Sequence, residues 1–281
     1  MTTATCARYD LPVDEIRRVT VEHLERHPEP AGRYVALVLG PHEPLANVAR
    51  AVERQVFEQT FGNDAAQMAE EYGPYEENSL FLLVLDRHRG APAGAGRAIE
   101  GTGPGTKTVD DAPGLIGQTS EQIAAAHGLH GEKVWDFATL AVLPQYRGLR
   151  TSLTVSSLLY RAFLVQGERE GVQHMTAMLD RGAYRNMKLL GTPFEPLAGS
   201  GPFPYLGSPE NRAVYARFPL VAGAIGEQAA RLRRLARPGV SDIRHADPRK
   251  LIKRRIAAEV SRKVATGKGL DQHIVAAPAR G

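Results

Sequence analysis

The sequence VWDFATLAVL at residues 134–143, followed by PQYRGLRTS at residues 144–152, decides the fold. The first stretch is mostly apolar and ends directly before a proline, which predicts a buried β-strand. Residues 151–166 follow with apolar side chains at helical spacing, namely Val155, Leu158, Leu159, Ala162 and Phe163. The sequence therefore predicts a central strand that runs through a short loop into the N-terminus of an amphipathic helix.

This strand–helix connection has the properties of an anion-binding site. The first N–H groups of a helix have no partner within the helix, and the helix dipole makes that end positive. Arg147 and Arg150 add positive charge, and Gly148 allows a ligand to approach the backbone closely. A pyrophosphate fits these features. An ordinary strand–helix connection with a glycine turn has the same pattern, and the residues alone leave both interpretations open.

The rest of the chain indicates a mixed α/β fold around this unit. Strands are predicted at residues 33–40, 79–86, 93–100 and 172–179, with a final hairpin within 193–218. Helices are predicted at residues 44–61 and 119–128, and between the strand at 172–179 and Leu190. Residues 101–118 are rich in glycine, proline and aspartate, which predicts a mobile surface loop.

Helical segments flank the α/β unit at both ends. Residues 12–27 are predicted to be helical, and two helices are predicted after residue 219, the second of which begins at Asp247-Pro248. We therefore expect an N-terminal helical extension at residues 1–30, an α/β domain at 31–218 and a helical C-terminal extension at 219–281.

The positive charge of the chain is concentrated near its C-terminus. Residues 227–281 contain 14 Lys and Arg against 5 Asp and Glu, whereas the other 226 residues contain 21 basic and 26 acidic groups. An acidic body thus carries a basic tail. Such a tail is typical either of a solvated helical face or of a binding surface for an anionic partner, and the charge alone does not distinguish the two.

Composition and spacing exclude several classes of protein. The chain is 43% hydrophobic and can bury a large core, yet its longest apolar stretches, such as Leu80–Leu85, are far shorter than the roughly 20 residues that span a bilayer. Its one cysteine, Cys6, excludes an internal disulfide framework. The histidines lack the spacing of a metal site, and the first residues lack a secretion signal. We expect a cytoplasmic protein without a metal and without membrane contact.

The run LAVLPQYRG at residues 140–148 resembles the acyl-CoA-binding motif of the GNAT acyltransferase superfamily. In that family a hydrophobic strand precedes Gln/Arg-x-x-Gly-x-Gly/Ala at the start of a helix. Gln145 and Gly148 match the motif, whereas Arg150 stands where the family has a small residue. The order of the elements over residues 31–218 is also similar to that of the family.

The resemblance implies a GNAT-like α/β fold, in which helices flank a mixed central sheet, and acyl-CoA as the co-substrate. It also implies a donor site formed by the end of the central strand, the loop and the start of the helix. The residues at those positions are Leu140, Val142, Gln145, Arg147, Gly148, Arg150 and Thr151.

The strand DFATLAV at residues 136–142 is similar to the Glu-x-Ser-Arg-x-x-Val strand of the acyl-homoserine-lactone synthases and the related N-acyl amino acid synthases, which are GNAT-fold enzymes. Asp136 replaces the glutamate of that strand, and Thr139 replaces its arginine. Upstream, EYGPYE at residues 71–76 and GAGR at residues 94–97 occur in the same order as in that group. We interpret this likeness as distant kinship.

Acyl transfer from a thioester to an amine needs a base for the amine, a polarised carbonyl and a proton source for the leaving thiolate. The resemblance implies that a main-chain amide near Leu140–Val142 binds the carbonyl. Asp136 is the first candidate for the base, with Glu71 and Glu76 as further candidates. Each of the three carboxylates can equally be solvated or salt-bridged.

The proton source is less well defined. Many GNAT members have a tyrosine four residues before the glycine that ends the next helix, and Met187 occupies that position here. Tyr184, one helical turn earlier, is the candidate acid, and Tyr205 and Tyr215 in the final hairpin are alternatives. Because the thiolate of CoA leaves without a strong acid, the missing tyrosine does not exclude acyl transfer.

The sequence thus predicts an N-acyltransferase that moves an acyl group from acyl-CoA to the amine of a small molecule. Two alternatives remain open. One is a transferase of the same fold whose donor is bound to acyl carrier protein or is an aminoacyl-tRNA, held by basic residues within 231–263. The other is a non-catalytic member that binds a ligand or a partner.

Overall fold

The computed structural model describes residues 7–236 and 247–278, without the side chains of residues 149–152 and 248. In these residues one mixed sheet forms the centre of the molecule, in the order β6-β8-β5-β4-β3-β2-β1-β9, with β7 paired to β8. The strands are β1 Tyr34–Leu39, β2 Ser79–Asp86, β3 Ala91–Gly101, β4 Val134–Val142, β5 His174–Asp180, β6 Glu195–Pro196, β7 Phe203–Tyr205, β8 Ser208–Arg217 and β9 Ile274–Val275. This sheet confirms the predicted α/β fold class.

The described helices cover both faces of the sheet. They are α1 Val13–Arg26, α2 Pro44–Phe61, α3 Ala65–Tyr72, α4 Lys107–Ile116, α5 Ser120–His127, α6 Leu149–Arg169, α7 Arg181–Leu190, α8 Phe218–Leu235 and α9 Pro248–Thr266. The long helix α6 packs against β1 to β4 on one face, and α2 packs against β2 to β4 on the other. Because β2 lies between these two layers, all eight of its residues are buried.

Close packing of α6 on the sheet depends on a small residue in β3. A Cβ atom added to Gly94 would lie 2.8 Å from the carbonyl oxygen of Ala141 and 2.8 Å from a methyl group of Val155. Such distances are too short for a side chain, so glycine allows β4 and α6 to approach β3 at this point.

The central strands β4 and β5 are parallel and pair only at their beginnings. Val134, Trp135 and Asp136 pair with residues 174–176, yet β4 continues to Val142 and β5 continues to Asp180. On its other side β4 contains a bulge, since Arg97 is opposite Thr139 and Ala98 is opposite Phe137, which leaves Ala138 without a partner. The two strands therefore leave a gap in the middle of the sheet after residue 136.

A buried ionic network fixes the bulged strand to α2. The guanidinium of Arg97 is 0% exposed and donates to Glu53 at 2.8 Å, to Glu76 at 3.1 Å and to the Tyr9 hydroxyl at 2.7 Å. The hydroxyl of Thr139 donates to the second oxygen of Glu53 at 2.5 Å. Two carboxylates thus share one buried cation, and the network connects α2, β3 and β4.

The prediction of a mobile loop at residues 101–118 is wrong for its second half, which forms α4. Val109 and Ala112 are fully buried in a small apolar cluster with Ile123 of α5, and this tertiary packing outweighs the local glycine and proline signals. Pro113 cannot donate to the carbonyl of Val109 within the helix. The Ser120 hydroxyl donates to that carbonyl instead, at 3.2 Å.

Two further elements have no counterpart in the sequence-based expectations. Helix α3 follows α2 after a three-residue break and begins at an Asp64 side chain that accepts from the amide of Gln67. Strand β9, beyond the predicted C-terminal helices, pairs in parallel with β1 and forms an edge strand of the central sheet.

Among the described residues, no helix has the length and apolar character needed to cross a bilayer.

We predict that Arg97→Met destabilises the protein by about 3–5 kcal/mol, because Glu53 loses its buried cation while remaining in place. Chemical denaturation followed by circular dichroism measures this change. Arg18→Met is the matched control, because Arg18 makes ion pairs of similar length with Glu15 and Glu22 on the exposed surface of α1. Equal unfolding midpoints for the two variants would contradict a supporting role for the network.

Candidate active site

The gap between β4 and β5 opens into two adjoining cavities. The first, which we call the apolar cleft, is lined chiefly by Phe137, Leu140, Val142, Tyr160, Ala183 and Met187. The second, which we call the polar pocket, is lined chiefly by Tyr72, Lys107, Asp136, Tyr205 and Asn211. Both cavities include Phe57, Phe61, Ala138, Met178 and Asp180 in their walls. They therefore meet at the point where the central strands separate.

The donor loop, residues 144–148, lies at the mouth of the apolar cleft. Gly148 is the N-cap of α6, and no side chain caps the helix there. Arg147 lines the cleft, and its Nε donates to the carbonyl of Val142 at 2.9 Å. The first turn of α6 thus presents N–H groups that have no partner within the helix, beside an arginine that the end of β4 holds in place.

The fold itself does not require a glycine at position 148. Its φ of −61° suits any residue, and a Cβ atom added there would meet no atom within 4 Å. Gly94 differs, because neighbouring atoms exclude a side chain at that position. In the part of the chain that the structure describes, no atom occupies the space in front of Gly148, so a ligand can contact the backbone there.

The structure brings most of the predicted donor residues together. Leu140, Val142 and Arg147 line the apolar cleft, and Gln145 and Gly148 are exposed at its mouth. Arg150 and Thr151 belong to the first turn of α6, but their side chains lie outside the described part of the chain.

Asp136 is the last residue of β4 that pairs with β5, and it lies on the wall of the polar pocket. Its carboxylate is 0% exposed and accepts from the backbone N–H of Thr108 at 2.5 Å and from the Thr108 hydroxyl at 2.9 Å. Burial raises the pKa of Asp136 to about 7, although both Thr108 hydrogen bonds favour the charged form. A carboxyl with such a pKa can accept and release a proton near neutrality.

Lys107 is a site residue that the sequence analysis missed. Its ammonium, nearly buried, contacts Glu71 at 2.6 Å and Asp111 at 2.8 Å. The rings of Tyr72, Tyr75 and Tyr205 surround it, with centroids 5.3, 5.9 and 5.8 Å from Nζ. These groups come from three separate stretches of chain, namely residues 71–75, residues 107–111 and Tyr205, so no local pattern links them. The helix that begins at Lys107 was itself predicted to be a loop.

The other candidate carboxylates lie away from the cavities. Glu76 is bound by Arg50 at 2.5 Å and by Arg97 at 3.1 Å, and these cations hold its pKa below the usual value. It belongs to the buried network and does not line either cavity, so we no longer propose it as the base. Glu71 contacts the polar pocket only through Lys107.

The candidate tyrosines are also dispersed. Tyr184 packs between the side chains of Lys188 and Arg212 and lines neither cavity. Tyr215 donates to or accepts from His174 on a different surface of the sheet. Tyr205 lines the polar pocket, where its hydroxyl is hydrogen-bonded to Asp111. Of these three, only Tyr205 remains a candidate.

Tyr160 of α6 is a second group that the sequence analysis missed. It projects into the apolar cleft, and burial raises its pKa to about 12, with a smaller contribution from Asp180. The sequence pattern indicated only that this position lies between the apolar positions 158, 159, 162 and 163.

The described residues contain no group of three or more His, Cys, Asp or Glu arranged to hold a metal ion.

No family model matches the sequence, and no curated protein matches it. Solved structures do match. FeeM, an N-acyl amino acid synthase from uncultured soil microbes, superposes with a TM-score of 0.52 at 17% identity, over 68% of this chain and 94% of FeeM.

Two further structures match at lower TM-scores. BjaI, a CoA-dependent acyl-homoserine lactone synthase with SAM and isopentyl-CoA, has a TM-score of 0.49 at 10% identity, over 88% of this chain and 95% of that chain. A chain of the NatC complex bound to Gag peptide and CoA has a TM-score of 0.42 at 12% identity, over 66% and 99% of the two chains. The sheet, its central gap and the superposition on FeeM together confirm that this chain has a GNAT-like fold.

Proposed function

We propose that this protein transfers an acyl group from acyl-CoA to the amino group of a small molecule. One observation carries the proposal: the part of β4 that has separated from β5 runs from a buried carboxyl with a pKa of about 7 to a helix N-terminus at which Gly148 supplies no side-chain cap. The candidate base thus lies in the polar pocket, and the candidate anion site lies at the mouth of the adjoining apolar cleft. The fold shared with FeeM, an N-acyl amino acid synthase, supports the same reaction class.

The donor half of the site is the donor loop with the apolar cleft. The pyrophosphate of CoA would bind at the first turn of α6, close to Arg147 and against the backbone of Gly148. The thioester would follow the edge of β4 that has no strand partner between Phe137 and Val142. Main-chain N–H groups on that edge are available to the thioester carbonyl, and the apolar walls suit an acyl chain.

The acceptor half is the polar pocket. Asp136 would take a proton from the amine as the nitrogen attacks the thioester carbonyl, so that a C–N bond forms and the C–S bond breaks. The released thiolate would take up a proton, for which Tyr160 and Tyr205 are the nearest candidate tyrosines. Lys107 pairs with Glu71 and Asp111, and Asp136 lines the same pocket, so carboxyl groups outnumber the ammonium in this region. An acceptor that carries positive charge would suit it.

We predict that Gly148→Glu weakens acyl-CoA binding by about a hundredfold or more, because a carboxylate would face the pyrophosphate. Isothermal titration calorimetry measures the affinity. Gly223→Glu is the matched control, because an added Cβ atom at Gly223 of α8 also meets open space. Unchanged affinity in a folded Gly148→Glu protein would rule out this donor site.

We predict that Asp136→Asn lowers the transfer rate by about 10²–10⁴-fold, which is the usual contribution of a general base. A base acts only when it is deprotonated, so the wild-type rate should rise with pH through about 7 and then level off. Transfer rates across this pH range, with donor affinity as a check on folding, measure both effects. A variant within about threefold of the wild type at every pH would exclude Asp136 as the base.

A carrier-bound donor remains the second candidate, and the position of α9 favours it. Arg255 and Lys263 of α9 line a surface groove together with Leu153, Thr154 and Ser157 from the first turns of α6. The basic side of the C-terminal helices therefore lies beside the N-terminal part of α6, close to the donor loop. A carrier protein or a tRNA that delivers its acyl group to the cleft could contact basic residues within 231–263 at the same time.

Replacing Lys253, Arg254 and Arg255 together with glutamine tests this alternative. If a carrier docks there, transfer from a carrier-bound donor should fall about tenfold or more, with a steep salt dependence in the wild type, while free acyl-CoA is used as before. The control variant replaces Arg17, Arg18 and Arg26 of α1 with glutamine; these three side chains are exposed, as Lys253 and Arg255 are. Equal losses with both donors, or no loss with either, would leave the tail as a solvated face.

A further inference from the structure

A small inner cavity continues the apolar cleft into the core. Phe137, Tyr160 and Met187 line both spaces and separate one from the other. The inner cavity has a volume of about 10 Å³, roughly that of one water-sized sphere, and its walls are formed almost entirely by apolar side chains. A cavity of this kind does not hold water stably, because a water molecule needs several polar partners.

The floor of the inner cavity comes from the C-terminal extension. Val221 and Ile225 of α8 and Val264 of α9 close it, and each of the three is at most 2% exposed. The extension is fixed at this place by further contacts: the hydroxyl of Ser261 donates to the carbonyl of Leu190 at 3.0 Å, and Arg161 of α6 forms an ion pair with Asp271 at 2.6 Å. The floor is therefore held by the same contacts that hold α9 onto α6 and α7.

We propose that Val221, Ile225 and Val264 set the maximum length of the acyl chain that the protein transfers. The inference rests on the proposed acyl transfer and adds a role for the C-terminal helices in it. An acyl chain that enters from the donor loop follows the apolar cleft inward, and its methyl end reaches the constriction at Met187 and Tyr160. Chains that end at the inner cavity fill it, whereas longer chains meet the floor.

The side chains at the constriction and the floor differ in how readily they move. Met187 has three rotatable bonds and adapts to a chain that passes it. The floor residues are β-branched and lie buried on the inner sides of α8 and α9, so they have few alternative rotamers. One extra methylene against an apolar wall of this kind typically changes specificity by about 10–200-fold, which is enough to define a chain-length limit.

The experiment compares kcat/KM for straight-chain acyl-CoA donors, from butyryl- to palmitoyl-CoA, in the full-length protein. The measured quantity is kcat/KM for the shortest donor that the wild type no longer uses well, divided by kcat/KM for the best wild-type donor. Ile225→Ala should raise this ratio at least about tenfold, and Ile225→Phe should shift the limit to shorter chains. Ile225→Val removes a single methyl group and keeps the test valid if the alanine variant is unstable. Leu232→Ala is the control, because Leu232 is a buried residue of α8 that packs against Ala257 and Ala258 and does not line the cavity.

Binding of the same donors, measured by calorimetry without an acceptor, should show the same order of chain lengths. Ile225 variants that keep the wild-type chain-length profile, or a Leu232→Ala profile that shifts equally, would overturn the inference while acyl transfer itself stands. Failure of the wild type to bind or use any acyl-CoA would instead overturn the proposed function and this inference with it.

Discussion

The end of pairing between β4 and β5 after Asp136 is the constraint on which the site depends. A central strand that loses its neighbour exposes main-chain N–H and C=O groups in the middle of a sheet, where they are normally paired. The bulge at Ala138 adds a second irregularity to the same strand. Such a strand keeps its place only if its other contacts are strong. The Thr139–Glu53–Arg97 contacts on one face and the close approach of α6 at Gly94 on the other provide them.

Asp136 occupies the position where the two strands separate, and this position explains its titration. Burial raises its pKa to about 7, so between about pH 4 and pH 7 the folded chain holds a proton that the unfolded chain has released. The stability of the fold therefore falls as the pH rises through this window. An uncharged side chain at position 136 would avoid that loss.

The parts of the fold that local pattern determines could be predicted from the sequence. The unit formed by β4, the donor loop and α6 has a continuous strand, a proline stop and a helical period within about thirty residues, and the structure has all three. Helix α4 could not be predicted in this way, since its buried residues find their partners on α5 and β8, and its proline and glycine favour a loop. The enclosure of Lys107 and the network around Arg97 were missed for the same reason, because they join distant parts of the chain. Arg97 and Glu53 are 44 positions apart, and Asp111 and Tyr205 are 94 positions apart. The sequence pattern identified Glu76 as a carboxylate of interest, but only the structure shows that two arginines bind it.

The C-terminal helices are more closely tied to the central sheet than a simple extension would be. Strand β9 pairs with β1, and the Arg161–Asp271 ion pair joins the turn after α9 to the middle of α6. Since α6 also begins at the proposed anion site and carries Tyr160 at the constriction, one helix connects the donor loop, the cleft and the C-terminal segment. A shift of α9 would therefore move the floor of the inner cavity and the basic groove together relative to the donor loop. Under the proposed function this coupling has a physical reason, because the basic charge would face outward to an anionic donor while the apolar floor on the same pair of helices would face inward to its acyl chain.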